Sequence, residues 1–207
     1  ALLSALSEQR RSFQDVKVSQ ILSVRKFGYF DPETVQHIRP MPYFLSATSR
    51  TCVDEGWGDY IPSYFSEMPD LIGRGLMPAD VVFALVSPMD AHGYFSLSLG
   101  PDYTMAAIRK ARAIVLEVNP NVPYAFGNNQ IHISQVTALV GDATPSLEVG
   151  LPKIGPAQQT IGKYVADMIN DGDTLQIGYG AIQDAVVMQL TDKRDLGIHT
   201  EMIGDGI

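Results

Sequence analysis

The run Asp173-Thr-Leu-Gln-Ile-Gly-Tyr-Gly-Ala-Ile-Gln-Asp-Ala-Val-Val187, followed by Leu196-Gly-Ile-His-Thr-Glu-Met202, decides how the chain reads. Leu175 to Ile177 is a short apolar-rich run halted by Gly178-Tyr179-Gly180, and Ala181 to Leu190 resumes at once with helical periodicity. Strand, glycine turn and helix in that order present bare backbone N–H groups at a helix N-terminus. Such a place suits an anion or a developing oxyanion, and glycine permits close approach to it. Asp195 to Thr200 reads as a second short strand, carrying Glu201 to the same sheet edge. With side chains alternating along a strand, His199 and Glu201 point one way, and Thr200 and Met202 the other. One carboxylate, one imidazole and a glycine turn then share a crevice. Gln176, the polar residue of the first strand, faces either that crevice or a neighbouring element.

Other readings of the same residues stand beside this one. A strand followed by Gly178-x-Gly180, with an acid about twenty residues on, invites comparison with a dinucleotide fingerprint. The third glycine of that pattern is absent, because Gln183 stands there. Asp184, in the helix's first turn, reads most simply as a partner of the helix dipole. Taken alone, Glu201 is more often a solvated acid after a strand, His199 a packed histidine, and the two glycines the ordinary equipment of a tight turn.

Outward from this unit, the 207 residues are 45% hydrophobic and 18% charged, ordinary for a globular protein. The length suits one large domain or two small ones with a buried core. A formal charge of −8 argues against a nucleic-acid partner, which would want a basic face. The single cysteine, Cys52, excludes an internal disulfide and fits a reducing cytoplasm. No run is long and apolar enough to span a membrane, and Ala1 to Arg10 lacks the layout of a signal peptide. Ala1-Leu-Leu-Ser-Ala-Leu6 opens in mid-helix without a capping residue, and Ile207 stops just after Asp205-Gly206. The expectation is a piece of a longer protein.

Along the chain, Val16 to Val24 alternates apolar and polar residues as a strand does. Tyr43-Phe-Leu45 and Trp57 to Ile61 read as short strands, with Ser46-Ala-Thr-Ser49 offering caps for a helix through Glu55. Ser66 to Gly73 reads as a helix. Ala79 to Val86 is nearly all apolar, the mark of a parallel strand covered on both faces. Asp90-Ala-His-Gly93 is a tight turn into Tyr94 to Leu97, and Pro101 opens a helix running to Lys110. Ala113 to Val118 and Ile131 to Val140 are further strands. Gly141 to Pro156, dense in Gly and Pro, is the best linker candidate, and Ala157 to Ile169 restarts as a helix. This alternation predicts an α/β fold with a mainly parallel sheet flanked by helices.

Several islands in fixed order give the chain a resemblance. Val86-Ser-Pro-Met-Asp-Ala-His-Gly-Tyr94, Asp102-Tyr-Thr104, Glu117-Val-Asn-Pro120, Ile131-His-Ile-Ser134, Gln176-Ile-Gly-Tyr-Gly-Ala-Ile182 and Gly197-Ile-His-Thr-Glu-Met202 resemble the acetyl-CoA hydrolase/transferase family. Within it, the likeness is to 4-hydroxybutyrate and butyryl-CoA:acetate CoA-transferases. The resemblance implies the CoA-transferase fold, with a first domain at residues 1–140, a linker at 141–156 and the start of a second domain at 157–207. A first strand and helix would precede the chain, and most of the second domain would follow it. Glu201 matches the position of the family's nucleophile. Gly178, Tyr179, Gly180, Ala181 and Ile182 match the loop against the thioester portion of CoA. Gln176 and His199 join them as candidates from the strand reading alone, His199 as a same-face neighbour that could orient and tune the carboxylate.

Coenzyme A and acyl-CoA are then substrates, exchanged with a short-chain carboxylate. No permanently bound cofactor and no metal are implied, and a homo-oligomer, dimer or tetramer, is. Hydrolysis of acyl-CoA on the same residues and a non-catalytic paralogue are the alternatives. Departures from the family pattern fall at Gln183 (commonly Pro), Gln135 (commonly acidic), Gly204 (usually Ser) and Tyr179 (usually aliphatic).

Overall fold

A computed structural model of the chain describes residues 1–150, 152–204 and 206–207. They form two compact units, Ala1–Leu147 and Glu148–Ile207. The boundary falls in the Gly- and Pro-rich stretch 141–156. Leu151 in that stretch, and Asp205 of the Asp205-Gly206 pair, lie outside the described residues.

In the first unit α1, Leu2–Glu8, precedes β1, Val16–Gln20, which pairs in parallel with β2, Ile38–Pro42. β2 carries two prolines and still holds two neighbours. Beyond its end the Tyr43 N–H donates to the Gln20 carbonyl, while the Pro40 and Pro42 carbonyls accept from the N–H groups of Asp59 and Ile61. A proline whose only duty is to accept loses nothing by lacking an N–H. The strand expected at Tyr43 to Leu45 therefore lies at 38–42 instead; Tyr43 is buried just past its end and Phe44 is exposed. Trp57 to Ile61, expected as a strand, is irregular chain that borders β2 through those two bonds. α2, Arg50–Asp54, starts after Ser49, whose hydroxyl does not cap it. That hydroxyl donates to the Phe44 carbonyl and accepts from the Ser46 N–H. A small core of Tyr29, Phe30, Ile38 and Cys52 lies among these elements, with Trp57 packed against it.

The main sheet has the order β3-β5-β7, with β3 at Val81–Val86, β5 at Ala113–Val118 and β7 at Ala138–Gly141, all parallel. Helices α3, Met68–Gly73, and α4, Thr104–Lys110, contribute Met68, Ile72, Ala107 and Ile108 to the core that buries Val82, Ala84, Val86 and Leu116. Burying one such large aliphatic side chain is worth about 1.5–3 kcal/mol. Within this chain, the expected cover on both faces of β3 is present on one face. Val81, Phe83 and Leu85 alternate with its buried residues and remain 54%, 39% and 38% exposed within the chain. The helical core residues pack on the Val82/Ala84/Val86 side.

The run Ile131 to Val140 is not one strand. β6, Gln130–His132, pairs antiparallel with β4, Tyr94–Ser96, whereas β7 joins the main sheet, and a 3-10 turn at Ile133–Gln135 carries the chain from one to the other. Ahead of β4, Asp90 builds the expected turn. Its Oδ1 accepts from the N–H groups of His92 at 2.8 Å and Tyr94 at 2.9 Å, and its Oδ2 accepts from the Tyr124 hydroxyl at 3.1 Å. The Tyr94 N–H above all, then the His92 N–H and the Tyr124 hydroxyl, hold this carboxyl below the usual aspartate range. Gly93 completes the turn at φ +85°. His132 lies edge-on to Tyr94, with Nδ1 2.8 Å from the Ser134 hydroxyl. No helix among the described residues is long and apolar enough to cross a membrane.

Candidate active site

In the second unit, α5, Pro156–Ala166, packs on α6, Ala181–Val187, beside a short parallel pair, β8 at Thr174–Leu175 and β9 at Gly197–Ile198. α5 opens with Pro156 in its first turn, where a missing N–H has no helical partner to lose. The helices meet at Gly162, where a Cβ would stand 2.6 Å from the Ala185 carbonyl oxygen. The absence of a side chain there sets how closely α5 and α6 approach. Gly197 is equally tight against β8, since a Cβ on it would lie 2.7 Å from the Thr174 hydroxyl.

Past Leu175 the chain leaves the strand and enters the glycine turn. Gly180 caps α6 with φ +143° and ψ 173°, a conformation that residues with a side chain rarely adopt. Its carbonyl accepts the first helical bond, from the Asp184 N–H at 3.1 Å. The Gln183 side chain folds back over this turn. A Cβ on Gly180 would meet its Oε1 at 2.9 Å, and one on Gly178 its Nε2 at 3.3 Å. The residue that breaks the dinucleotide fingerprint thus fills the space beside both glycines. Tyr179 and Ile182 are exposed, Ala181 is half-buried, and Gln176 faces solvent.

β9 ends at Ile198, short of the expected Thr200. The His199 N–H still donates to the Leu175 carbonyl at 2.9 Å. In a regular parallel ladder the next rung would run from the Ile177 N–H to the His199 carbonyl. Instead, Thr200 Oγ1 accepts from the Ile177 N–H at 3.1 Å and donates to the Ile177 carbonyl at 2.7 Å. Glu201 follows on a bend and is exposed, as is His199. The alternation that would carry both onto one face does not reach Glu201, because regular pairing stops at Ile198.

What comes together is therefore the residue before Glu201 and the residue before Gly178, joined through one hydroxyl. Sequence reasoning set Thr200 on the opposite face from Glu201 and saw no part for it. The signal that was there is chemical, a hydroxyl on a β-branched residue at a strand end, where side chain can stand in for backbone. Among the described residues, no three or more His, Cys, Asp or Glu side chains are grouped so as to hold a metal ion.

The family model of the acetyl-CoA hydrolase/transferase N-terminal domain matches residues 1–148. The chain belongs to the acetyl-CoA hydrolase/transferase family. Its relatives reach across the second unit as well. A succinyl-CoA:cyclohexane-1-carboxylate CoA transferase of Geobacter metallireducens is 41% identical over 98% of this chain and 46% of its own length. A 4-hydroxybutyrate coenzyme A transferase of Clostridium kluyveri is 36% identical over 100% of this chain and 48% of its own length. Among solved structures, RipA from Yersinia pestis matches with a TM-score of 0.91 at 35% identity, covering 100% of this chain and 50% of that one. A 4-hydroxybutyrate CoA-transferase from Porphyromonas gingivalis matches with a TM-score of 0.84 at 35% identity, over 99% of this chain and 47% of that one. The chain spans about half the length of the curated relatives it matches.

Proposed function

We propose that the chain serves CoA transfer, moving coenzyme A from an acyl-CoA to a short-chain carboxylate through a thioester on Glu201. The observation that carries this reading is the Thr200–Ile177 pairing, which brings the bend bearing Glu201 to the foot of the Gly178–Gly180 turn. Kinship with named CoA transferases supports the reaction class. In the same reading the two units are a first CoA-transferase domain and the opening of a second. The family resemblance supports a homo-oligomer working in the cytoplasm.

The chemistry follows from what a carboxylate can do. A Glu201 carboxylate oxygen attacks the thioester carbonyl, the C–S bond breaks, and CoA leaves as thiolate from a mixed anhydride. The thiolate then attacks the glutamyl carbonyl, expels the first carboxylate and leaves a glutamyl-CoA thioester. A second carboxylate attacks that thioester, and the same steps in reverse return free Glu201 and a new acyl-CoA. Covalent catalysis divides an exchange between carboxylate and thiolate into easier steps that conserve the thioester bond. Each tetrahedral stage carries an oxyanion. N–H groups of the Gly178–Ile182 stretch are the donors this reading assigns to it, and one such donor is worth about 3 kcal/mol. Neither a metal nor a permanently bound cofactor enters these steps. Acetate, butyrate, 4-hydroxybutyrate and a short dicarboxylate such as succinate are the acceptor class, with Tyr179 and Gln183 as the departures that bear on the choice.

Isotope exchange tests the reading. The native polypeptide containing this chain, given radiolabelled acetate and acetyl-CoA, is expected to move label into acetyl-CoA with no net loss of thioester. Steady thioester loss without exchange would make it a hydrolase.

A further inference from the structure

We infer that Thr200 is a positioning residue, whose hydroxyl ties the bend that bears Glu201 to the residue that leads into the Gly178–Gly180 turn. The inference rests on the transfer reading above. A single oxygen makes both bonds, accepting at 3.1 Å from the Ile177 N–H and donating at 2.7 Å to the Ile177 carbonyl. A hydroxyl has one proton and two lone pairs, so both bonds are satisfied at once. Each end of this clamp lies one residue from a part of the site, Glu201 on one side and Gly178 on the other.

The clamp takes over where the ladder stops. The backbone bonds between the two strand segments run from the Gly197 N–H to the Asp173 carbonyl and from the His199 N–H to the Leu175 carbonyl, and the second is the last of them. Beyond it the backbone must turn out of the sheet to place Glu201 on its bend. Thr200 lets it turn while keeping the register, because the side chain does what the His199 carbonyl would otherwise do. The tie is half-buried, so water competes with it less than at an open surface. Valine has the same shape and makes neither bond, which frees the bend to drift. A drift of ~1 Å at a reacting group can cost on the order of a hundredfold in rate.

Thr200→Val, Thr200→Ser, Thr200→Cys and Glu201→Gln in the native polypeptide, assayed per mole of folded protein, separate the outcomes. Thr200→Val is expected to lower kcat by about ten- to a hundredfold while the KM for acyl-CoA stays within about twofold. Serine, which restores the hydroxyl, is expected to recover most of that loss. If the valine variant does not fold, serine and cysteine replace it as the test, since a thiol is close in size to the hydroxyl but bonds weakly. Serine well above cysteine supports the clamp; equal, wild-type kcat in both overturns it. A valine variant with wild-type kcat, beside an inactive Glu201→Gln, overturns the role of Thr200 and leaves the nucleophile standing. An active Glu201→Gln overturns the transfer reading itself, and the clamp with it.

Discussion

At the scale of single residues, Asp90 ties a turn together with three donors to one carboxylate. Its lowered pKa has a definite consequence for pH. A depressed carboxyl stabilises the fold above its unfolded-state pKa, and that contribution is lost as pH falls through the lower folded value. Titration of the Asp90 carboxyl by NMR should therefore give a midpoint below that of ordinary aspartate, with the Tyr94 amide shifting in step. A midpoint at or above the ordinary value would contradict the turn as described. Cys52 is the converse case. Burial pushes its thiol pKa up, and Sγ donates to the Ser49 carbonyl at 2.9 Å. Alkylation by iodoacetamide at mildly alkaline pH is expected to be slow in the native protein and fast once it unfolds; rapid labelling of the folded state would place the thiol at the surface. The turn at Asp90 to Gly93 was legible because Asp and Gly carry their turn chemistry locally. The Thr200 tie was not. Strand alternation sorts side chains by parity alone and cannot see a hydroxyl replacing a backbone rung.

Among the elements, β5 lies at the bounds its sequence suggests, because Ala113 to Val118 is apolar but for Glu117 and is ended by Asn119-Pro120. β2 was hidden by Pro40 and Pro42, which count against a strand until it is known that their carbonyls alone are needed. The division of Ile131 to Val140 was likewise beyond local pattern, since only the partners β4 and β5 reveal that its two halves serve different sheets. Helix α5 offers the cleanest test at this scale. Gly→Ala within a helix ordinarily stabilises it by about 1 kcal/mol. Gly162→Ala is expected to do the reverse, because the new methyl would press on the Ala185 carbonyl. Overpacking of this kind costs about 1–3 kcal/mol, readable as a lower urea midpoint for the second unit. An unchanged or raised midpoint would mean that α5 and α6 do not meet there.

For the molecule as a whole, the alternation of strand and helix made the α/β class and the parallel sheet readable in advance. Which face of β3 this chain itself covers was not readable, because an all-apolar run looks the same whether one face is covered or two. The stretch between β7 and α5 carries no regular structure among its described residues and is largely exposed. Limited proteolysis should cut first between Gly141 and Pro156, leaving fragments that end near Leu147. First cuts inside β3, β5 or β7 would contradict the two-unit division. The central claim, that Glu201 carries the acyl-CoA half-reaction covalently, is met most directly by trapping. The native polypeptide is incubated with acyl-CoA and no acceptor, quenched with hydroxylamine or borohydride, digested, and analysed by mass spectrometry. The predicted result is a hydroxamate, or the corresponding alcohol, at Glu201 and absent from the Glu201→Gln variant. Adduct at another side chain, or none while exchange proceeds, would contradict it.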